Sequence, residues 1–188
     1  MRPRLKISPL ISLQDARSSA AVGFDLIGFS LARGSDRKLS PATAWNMVQW
    51  LSGPDIVLEM NQASLSELQE LDQQFAYQYV SLPLAEWNGT LPSGLPGLIL
   101  RGDESQDPET LEAIASAAAA IQLPLFFELS LSGPDSAAPF LSLLPQSFLH
   151  FPDPAAAVQA LQDAQWVPYG FSLGPEWEEE PGVLDYER

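Results

Sequence analysis

The chain has 188 residues, of which 46% are hydrophobic, and this is enough to bury one core. Its formal net charge is −15, and most of its basic residues lie before Leu39. Such a surface repels nucleic acid and discourages phosphorylated ligands, because the summed field opposes the approach of anions.

The sequence contains no cysteine and a single histidine, His150. Disulfides, thiolate metal ligands and a multi-histidine metal site within one chain are therefore excluded, and we expect neither a metal nor a cofactor. No run of about 18 apolar residues occurs, so we expect no membrane helix. Pro9 and Gln14 interrupt the apolar stretch that a secretory signal would need after Arg2 and Arg4, which favours a cytoplasmic protein.

The first part of the chain predicts a strand, a helix and a second strand. Residues 5–8 and 26–31 are short apolar runs that are typical of buried strands. Residues 12–22 have helical spacing, with Ser12 as the N-cap and Gly23 as the stop. Two strands joined by one short helix must lie parallel, so this unit predicts a parallel sheet.

The same alternation continues to the end of the chain. Further strands are predicted at residues 55–61, 77–82, 98–101, 125–131, 147–151 and 167–173. Helices are predicted at residues 42–51, 64–71, 108–121 and 154–164, with a weak one at 136–144. Residues 83–97 contain three prolines and three glycines, so no full helix is predicted after the fourth strand. Little sequence remains after the eighth strand to build a helix there.

Two groups of motifs resemble one enzyme family. Between residues 6 and 41 they are a KI strand, an L-x-D-A helix, a DLIGF strand, a GS-x-R loop and an SP helix start. Near the C-terminus they are YGFSLG at 169–174, Glu178 and PGVLD at 181–185. This order resembles phosphoribosylanthranilate isomerase, a barrel enzyme of tryptophan biosynthesis that performs an Amadori rearrangement. The resemblance implies one compact α/β domain over residues 1–188, a TIM-type (β/α)8 barrel, here with helices 4 and 8 reduced or missing.

The resemblance also assigns catalytic roles to two positions. Ser8 stands where the family has its general base, a cysteine, and Pro9 replaces the glycine that follows. Because a hydroxyl is a poorer base than a thiolate, Ser8 is either a weakened catalytic group or a small polar residue at a strand end. Glu128 stands near the family's general acid, an aspartate. It is either a desolvated acid with a raised pKa or the partner of Arg101 in an ion pair inside the barrel.

A third position concerns substrate binding. Arg37, in the GS-x-R loop, matches the family arginine that binds the carboxylate of the substrate. The alternative is an exposed loop arginine. Glu59 and Asn61, at the end of the third strand, would add polar groups to the same mouth of the barrel.

The family's phosphate site is the feature that this sequence lacks. The family holds the phosphate with backbone N–H groups of glycine-rich loops after the sixth and seventh strands. Here residues 132–135 read Ser-Gly-Pro-Asp and residues 151–154 read Phe-Pro-Asp-Pro. Proline has no N–H to donate, and the aspartates, together with Glu176 and the glutamates at 178–180, repel phosphate.

These losses predict a catalytically degenerate, isomerase-like barrel that serves as a binding or interaction module for a ligand or partner still to be identified. One alternative is an acid–base enzyme that uses Glu128, with Glu59, on an unphosphorylated substrate, and another is a residual isomerase. Without an eighth helix, Phe171 and Leu173, with Tyr169 at the same parity, would form a bare apolar face. We therefore expect a homodimer at this face, unless residues 175–188 cover it.

Overall fold

Parallel strands close into a barrel in this computed structural model, which describes residues 2–61, 76–87, 89–90, 94–163, 166–175, 178–180 and 183–184. The strands are β1 Arg4–Ile7, β2 Leu26–Ser30, β3 Asp55–Glu59, β4 Tyr79–Pro83, β5 Leu98–Asp103, β6 Leu125–Ser130, β7 Ser147–His150 and β8 Gly170–Leu173. They follow chain order around the ring, and β1 pairs in parallel with β8 to close it. The predicted TIM-type barrel is confirmed.

Helices cover the outside of the barrel, and their ends follow local sequence signals. The α-helices among the described residues are α1 Leu13–Val22, α2 Pro41–Val48, α3 Pro108–Ala120 and α4 Pro154–Asp163. Ser12 caps α1 through its side chain, and Gly23 ends it with a φ of 100°. Ser40 and Asp107 cap α2 and α3, and each is followed by a proline in the first turn. The predicted boundaries of these three helices are confirmed to within a few residues.

In the connections after β4 and after β6, the described residues form 3₁₀ segments rather than an α-helix. After β4 the described residues form the 3₁₀ turn Leu84–Glu86, in agreement with the prediction that no full helix occurs there. After β6 the weak predicted helix is replaced by the 3₁₀ segments Pro134–Phe140 and Leu144–Gln146. Pro139 lies inside the first of these and has no N–H for an α-helical hydrogen bond, which is the physical reason for the difference.

The segment after β8 contains two short strands. β9 Glu178–Glu180 and β10 Val183–Leu184 pair antiparallel, and neither belongs to the barrel. The helix predicted at 64–71 lies outside the described residues. In the part of the chain that the structure describes, no helix is both long and apolar enough to cross a membrane. The described residues also contain no group of three or more side chains that could together hold a metal ion.

The amino-terminal half of the barrel interior is filled. Its inward-facing side chains are mainly apolar and aromatic: Leu26, Val57, Tyr79, Ile99, Phe126, Phe148 and Tyr169. Arg4 lies beneath this cluster, where its Nη2 is 2.7 Å from Asp55 Oδ2 and its Nη1 donates to the Tyr169 hydroxyl at 3.1 Å. Because this end is closed, a ligand can reach the interior from the carboxyl ends of the strands, as in other barrels of this class.

The apolar face predicted on β8 is not bare. Phe171 is only 5% exposed and packs against Phe151, with ring centroids 6.5 Å apart. The Tyr169 ring points into the barrel instead and stacks on Phe126 at 4.3 Å. Gly170 explains why the expected alternation fails, since a Cβ there would lie 2.3 Å from the Arg4 carbonyl oxygen and 2.7 Å from the Phe148 ring. The space that a side chain at position 170 would need is occupied by these neighbours.

Candidate functional site

A cavity of about 240 Å³ opens at the carboxyl ends of the strands. Its polar lining consists of Ser8, Glu59, Arg101, Glu128, Ser130 and His150. These residues come from five different strands or the loops that follow them. The barrel therefore brings together side chains that are far apart in sequence, at the end of the fold where barrel enzymes place their ligands.

Lys6 lies at the floor of this cavity and is fully buried. Its Nζ is 3.0 Å from Glu128 Oε2 and 3.6 Å from Glu59 Oε1. It also donates a hydrogen bond to Ser8 Oγ and a longer one, of 3.4 Å, to Ser172 Oγ. A buried ammonium is stable only with such partners, so Lys6 organises the floor of the site.

The carboxylates of Glu59 and Glu128 also contact polar groups other than Lys6. Glu59 Oε1 accepts from the Ser8 hydroxyl at 2.6 Å, and Glu59 Oε2 is 3.4 Å from Arg101 Nη1. Glu128 Oε1 accepts from the Ser172 hydroxyl at 2.7 Å. The cluster thus contains two carboxylates and two cations, and its formal charges balance.

The surroundings of Glu128 keep it ionised. Burial alone would raise the pKa of this carboxyl, but the positive charges of Lys6 and Arg101, with a hydrogen bond from Ser172, outweigh burial and lower the pKa to about 2. The expectation of a raised pKa is therefore wrong. Glu128 does form an ion pair inside the barrel, but its partner is Lys6 at 3.0 Å, whereas the expected partner, Arg101, is 3.4 Å from Glu59 instead.

The hydroxyl of Ser8 is fully engaged in this network. It accepts from the Lys6 ammonium and donates to the Glu59 carboxylate, so neither its proton nor its main lone pair is free for a substrate. Gly28, on the neighbouring strand, makes the position possible, because a Cβ there would lie 2.2 Å from Ser8 Cβ. A hydroxyl held in this way between an ammonium and a carboxylate is poorly placed to accept a proton.

Arg37 is placed beside the mouth rather than in it. Its Nε donates to the Pro9 carbonyl at 3.1 Å, so it joins the loop after β2 to the loop after β1. Asn61 has a similar role, since its Nδ2 donates to the Arg33 carbonyl at 2.9 Å. Among the described residues that line the cavity, the guanidinium is that of Arg101.

The backbone donors near the mouth are occupied by carboxylates of the chain itself. Asp153 caps α4, where its Oδ1 accepts from the Ala155 N–H at 2.9 Å. After β6, the backbone N–H and hydroxyl of Ser132 donate to Glu104 Oε2 at 2.9 and 2.8 Å. The N–H of Ser132 is the main reason why the pKa of Glu104 is lowered. These N–H groups are therefore filled by fixed negative charges where an anion would otherwise bind.

Sequence reasoning did not single out Lys6 or Ser172 as site residues. Both could have been found from strand alternation. In β1 the apolar Leu5 and Ile7 must face the covering helices, so Lys6 between them must point into the barrel. The same parity places Ser172 inside, between Phe171 and Leu173. The closed ring then sets these two side chains next to each other.

The fold and the cavity together define a TIM-type barrel with a polar cavity at the carboxyl ends of its strands. No protein-family model matches the chain, and no curated protein matches it either. Among solved structures, however, the chain has the fold of phosphoribosylanthranilate isomerases, which confirms the resemblance in fold.

Three of these structures show the extent of the similarity. The Thermus thermophilus enzyme has a TM-score of 0.73 and 23% identity, covering 98% of this chain and 93% of its own. An isomerase in complex with reduced 1-(o-carboxyphenylamino)-1-deoxyribulose 5-phosphate has a TM-score of 0.73 and 18% identity, again covering 98% of this chain and 93% of its own. Monomers generated from the dimeric Thermotoga maritima enzyme have a TM-score of 0.72 and 16% identity, covering 98% of this chain and 93% of their own.

Proposed function

We propose that this protein descends from the phosphoribosylanthranilate isomerases and uses the barrel mouth to bind a small molecule without catalysing the isomerase reaction. The observation that carries the proposal is the occupation of the backbone donors near the mouth by Asp153 and Glu104. A phosphorylated ligand would have to displace both carboxylates and overcome their charge. Its binding energy, which such enzymes use to lower the barrier, is lost with that contact.

The state of the two catalytic positions supports the same proposal. Ser8 replaces a thiolate base with a hydroxyl that is already bound to Lys6 and Glu59. Glu128 has a lowered pKa and is ionised at neutral pH, so it has no proton to give as a general acid. This lowered pKa also disfavours an acid–base enzyme in which Glu128 is the acid.

The experiment that tests the proposal is genetic complementation. The gene is introduced into a tryptophan-requiring bacterium that lacks its isomerase, beside a positive control that carries the Thermus thermophilus enzyme. We expect no growth without tryptophan, although the protein accumulates in folded form. Growth that depends on this gene would show a residual isomerase and overturn the proposal.

We also propose that the protein is cytoplasmic and forms a homodimer. The dimeric state of the Thermotoga maritima enzyme supports this assembly. Phe171 is buried, so the interface expected on β8 is not available. Val22 and Trp50, however, are large apolar residues that are 62% and 68% exposed. Val22 is the last residue of α1, which leads into β2, and Trp50 follows α2, which leads into the adjacent strand β3, so both lie at the amino-terminal end of the barrel. This pair is the proposed contact.

A further inference from the structure

Arg101 has hydrogen-bond donors for which the described residues supply no acceptor. It lies in β5 with its side chain on the cavity wall. Its Nη1 makes a long hydrogen bond of 3.4 Å to Glu59 Oε2, and its Nε has no hydrogen-bond acceptor among the described residues. A guanidinium carries five N–H donors, so most of this group's capacity is unfilled. Buried donors without acceptors are uncommon in folded proteins. Because the Nε is sealed and the Arg101 side chain is still 30% exposed, the part of the group that a ligand in the cavity can reach is the Nη end of the guanidinium.

The other charged side chains of the cluster are less accessible to a ligand than Arg101. The side chains of Lys6, Glu59 and Glu128 are 0, 6 and 12% exposed, whereas that of Arg101 is 30% exposed. Both oxygens of Glu59 and Oε1 of Glu128 have hydrogen-bond partners in the network, and Glu128 Oε2, which is buried without a hydrogen-bond donor, is neutralised by the Lys6 ammonium at 3.0 Å. The cavity therefore presents a cationic donor rather than an acceptor, and its ligand must bring the acceptor.

We infer that Arg101 is the ligand anchor of the cavity and binds the carboxylate of a small, unphosphorylated organic acid. The planar fork of the guanidinium matches the two oxygens of a carboxylate, which makes this its strongest neutral-pH partner besides phosphate. Phosphate is opposed by Glu104 and Asp153, which occupy the nearby backbone donors. A volume of about 240 Å³ holds roughly eight water molecules and so admits an acid of modest size. The inference rests on the proposed binding function.

The test uses three probes of one shape: benzoate, benzamide and phenyl phosphate. Each is titrated into the full-length protein by calorimetry and by ¹H–¹⁵N spectra of the arginine Nε–H groups. We expect benzoate to bind, to shift the Arg101 Nε–H signal, and to bind at least tenfold more tightly than either other probe. Equal binding of benzamide, tighter binding of phenyl phosphate, or no binding of benzoate would each overturn the inference.

Variants locate the anchor. Arg101→Gln should lower the affinity for benzoate roughly 10- to 100-fold, which is the usual effect of losing a charged hydrogen bond. Arg101→Lys keeps the charge but not the fork and should bind with intermediate affinity. Arg17→Gln is the matched control, because it removes an exposed arginine on α1, and its affinity should equal that of the wild type. If Arg101→Gln does not fold, the role of Arg101 is tested by the benzoate affinity of Arg101→Lys and by the shift of the Arg101 Nε–H signal in the wild type. Loss of binding in Arg37→Gln with binding retained in Arg101→Gln would contradict the assignment.

Failure of this inference and failure of the proposed function are distinguishable. Isomerase growth complementation would overturn the proposed function, whatever the benzoate titration shows. Absence of benzoate binding in a protein that also fails to complement would overturn only the role of Arg101.

Discussion

Lys6 and Glu128 form an ion pair of 3.0 Å across the interior of the barrel, from β1 to β6. These strands are not neighbours in the sheet, so the pair links opposite walls of the ring. Glu59 lies 3.6 Å from the same ammonium. One fully buried lysine thus compensates two carboxylates, and the geometry of the cavity floor depends on it.

Replacing Lys6 is therefore expected to destabilise the fold. Lys6→Met keeps the length of the side chain but leaves Glu59 and Glu128 buried with Arg101 as the remaining cation, which should cost roughly 3–5 kcal/mol of unfolding free energy. Urea unfolding measures this loss. Arg17→Met, at an exposed site, is the control and should change stability by less than about 0.5 kcal/mol.

The double variant Lys6→Met/Glu128→Gln checks the reason for the loss. Because it removes one of the two uncompensated charges, it should be more stable than Lys6→Met alone. A single variant as stable as the wild type, or a double variant that loses the sum of both single losses, would contradict the role of the pair.

Glu128 should also make stability depend on pH in the acid range. Its pKa is about 2 in the folded protein against an ordinary value of 4.5. A carboxyl whose folded pKa is depressed contributes stability that is present above the unfolded pKa and is lost as pH falls through the folded one. The wild type should therefore lose roughly 3 kcal/mol through this group between about pH 4.5 and pH 2.

Urea titrations at several pH values test this linkage. Glu128→Gln cannot be protonated, so its stability deficit relative to the wild type should be largest near neutral pH and should shrink as pH falls towards 2. A deficit that stays constant over this range would show that Glu128 is not held ionised by its partners.

Gly28 should tolerate no side chain. An added Cβ would lie 2.2 Å from Ser8 Cβ, so Gly28→Ala must displace Ser8 from Lys6 and Glu59. Overpacking of this kind costs roughly 1–3 kcal/mol. Gly133→Ala is the matched control, since nothing lies within 4 Å of its added Cβ. Thermal unfolding compares the two, and equal melting temperatures would refute the close contact.

Under the proposed function, introducing a thiol at position 8 should not produce isomerase activity. Ser8→Cys returns a better base, and general base catalysis typically supplies roughly 10²- to 10⁴-fold. Asp153 and Glu104 still occupy the backbone donors near the mouth, so we expect no isomerase turnover in a fluorescence assay of the purified variant. Turnover from this single change would show that the phosphate contact is not what is missing.

The proposed dimer contact predicts the behaviour of one exposed residue. Trp50→Glu should convert a dimer into a monomer of 20.5 kDa while the fold is retained. Leu141→Glu is the control, because Leu141 is also exposed, at 52%, but lies in another part of the barrel. Sedimentation at micromolar concentration separates these cases. A wild type that sediments as a monomer would rule out the dimer.

The elements that local sequence determines were predictable. The caps Ser12, Ser40 and Asp107 bond to backbone within a few residues, so their effect can be seen in a short window. The 3₁₀ turn after β4 follows equally from the local content of proline and glycine.

The candidate site was predictable only in part, because its contacts are non-local. Glu128 was expected to pair with Arg101 on the adjacent strand, but the closed ring brings Lys6 nearer from β1. Tyr169 was assigned to the outer face by parity, whereas its backbone precedes β8 and its ring enters the barrel. Both differences arise from closure and packing, which strand periodicity alone does not contain.

The most direct test of the central claim is a calorimetric titration with reduced 1-(o-carboxyphenylamino)-1-deoxyribulose 5-phosphate, the ligand of one isomerase with this fold. The Thermus thermophilus enzyme serves as the positive control in the same buffer. We predict binding by the control and none by this protein at micromolar ligand, because carboxylates already fill backbone donors near the mouth and oppose the phosphate. Binding at micromolar ligand would contradict the account.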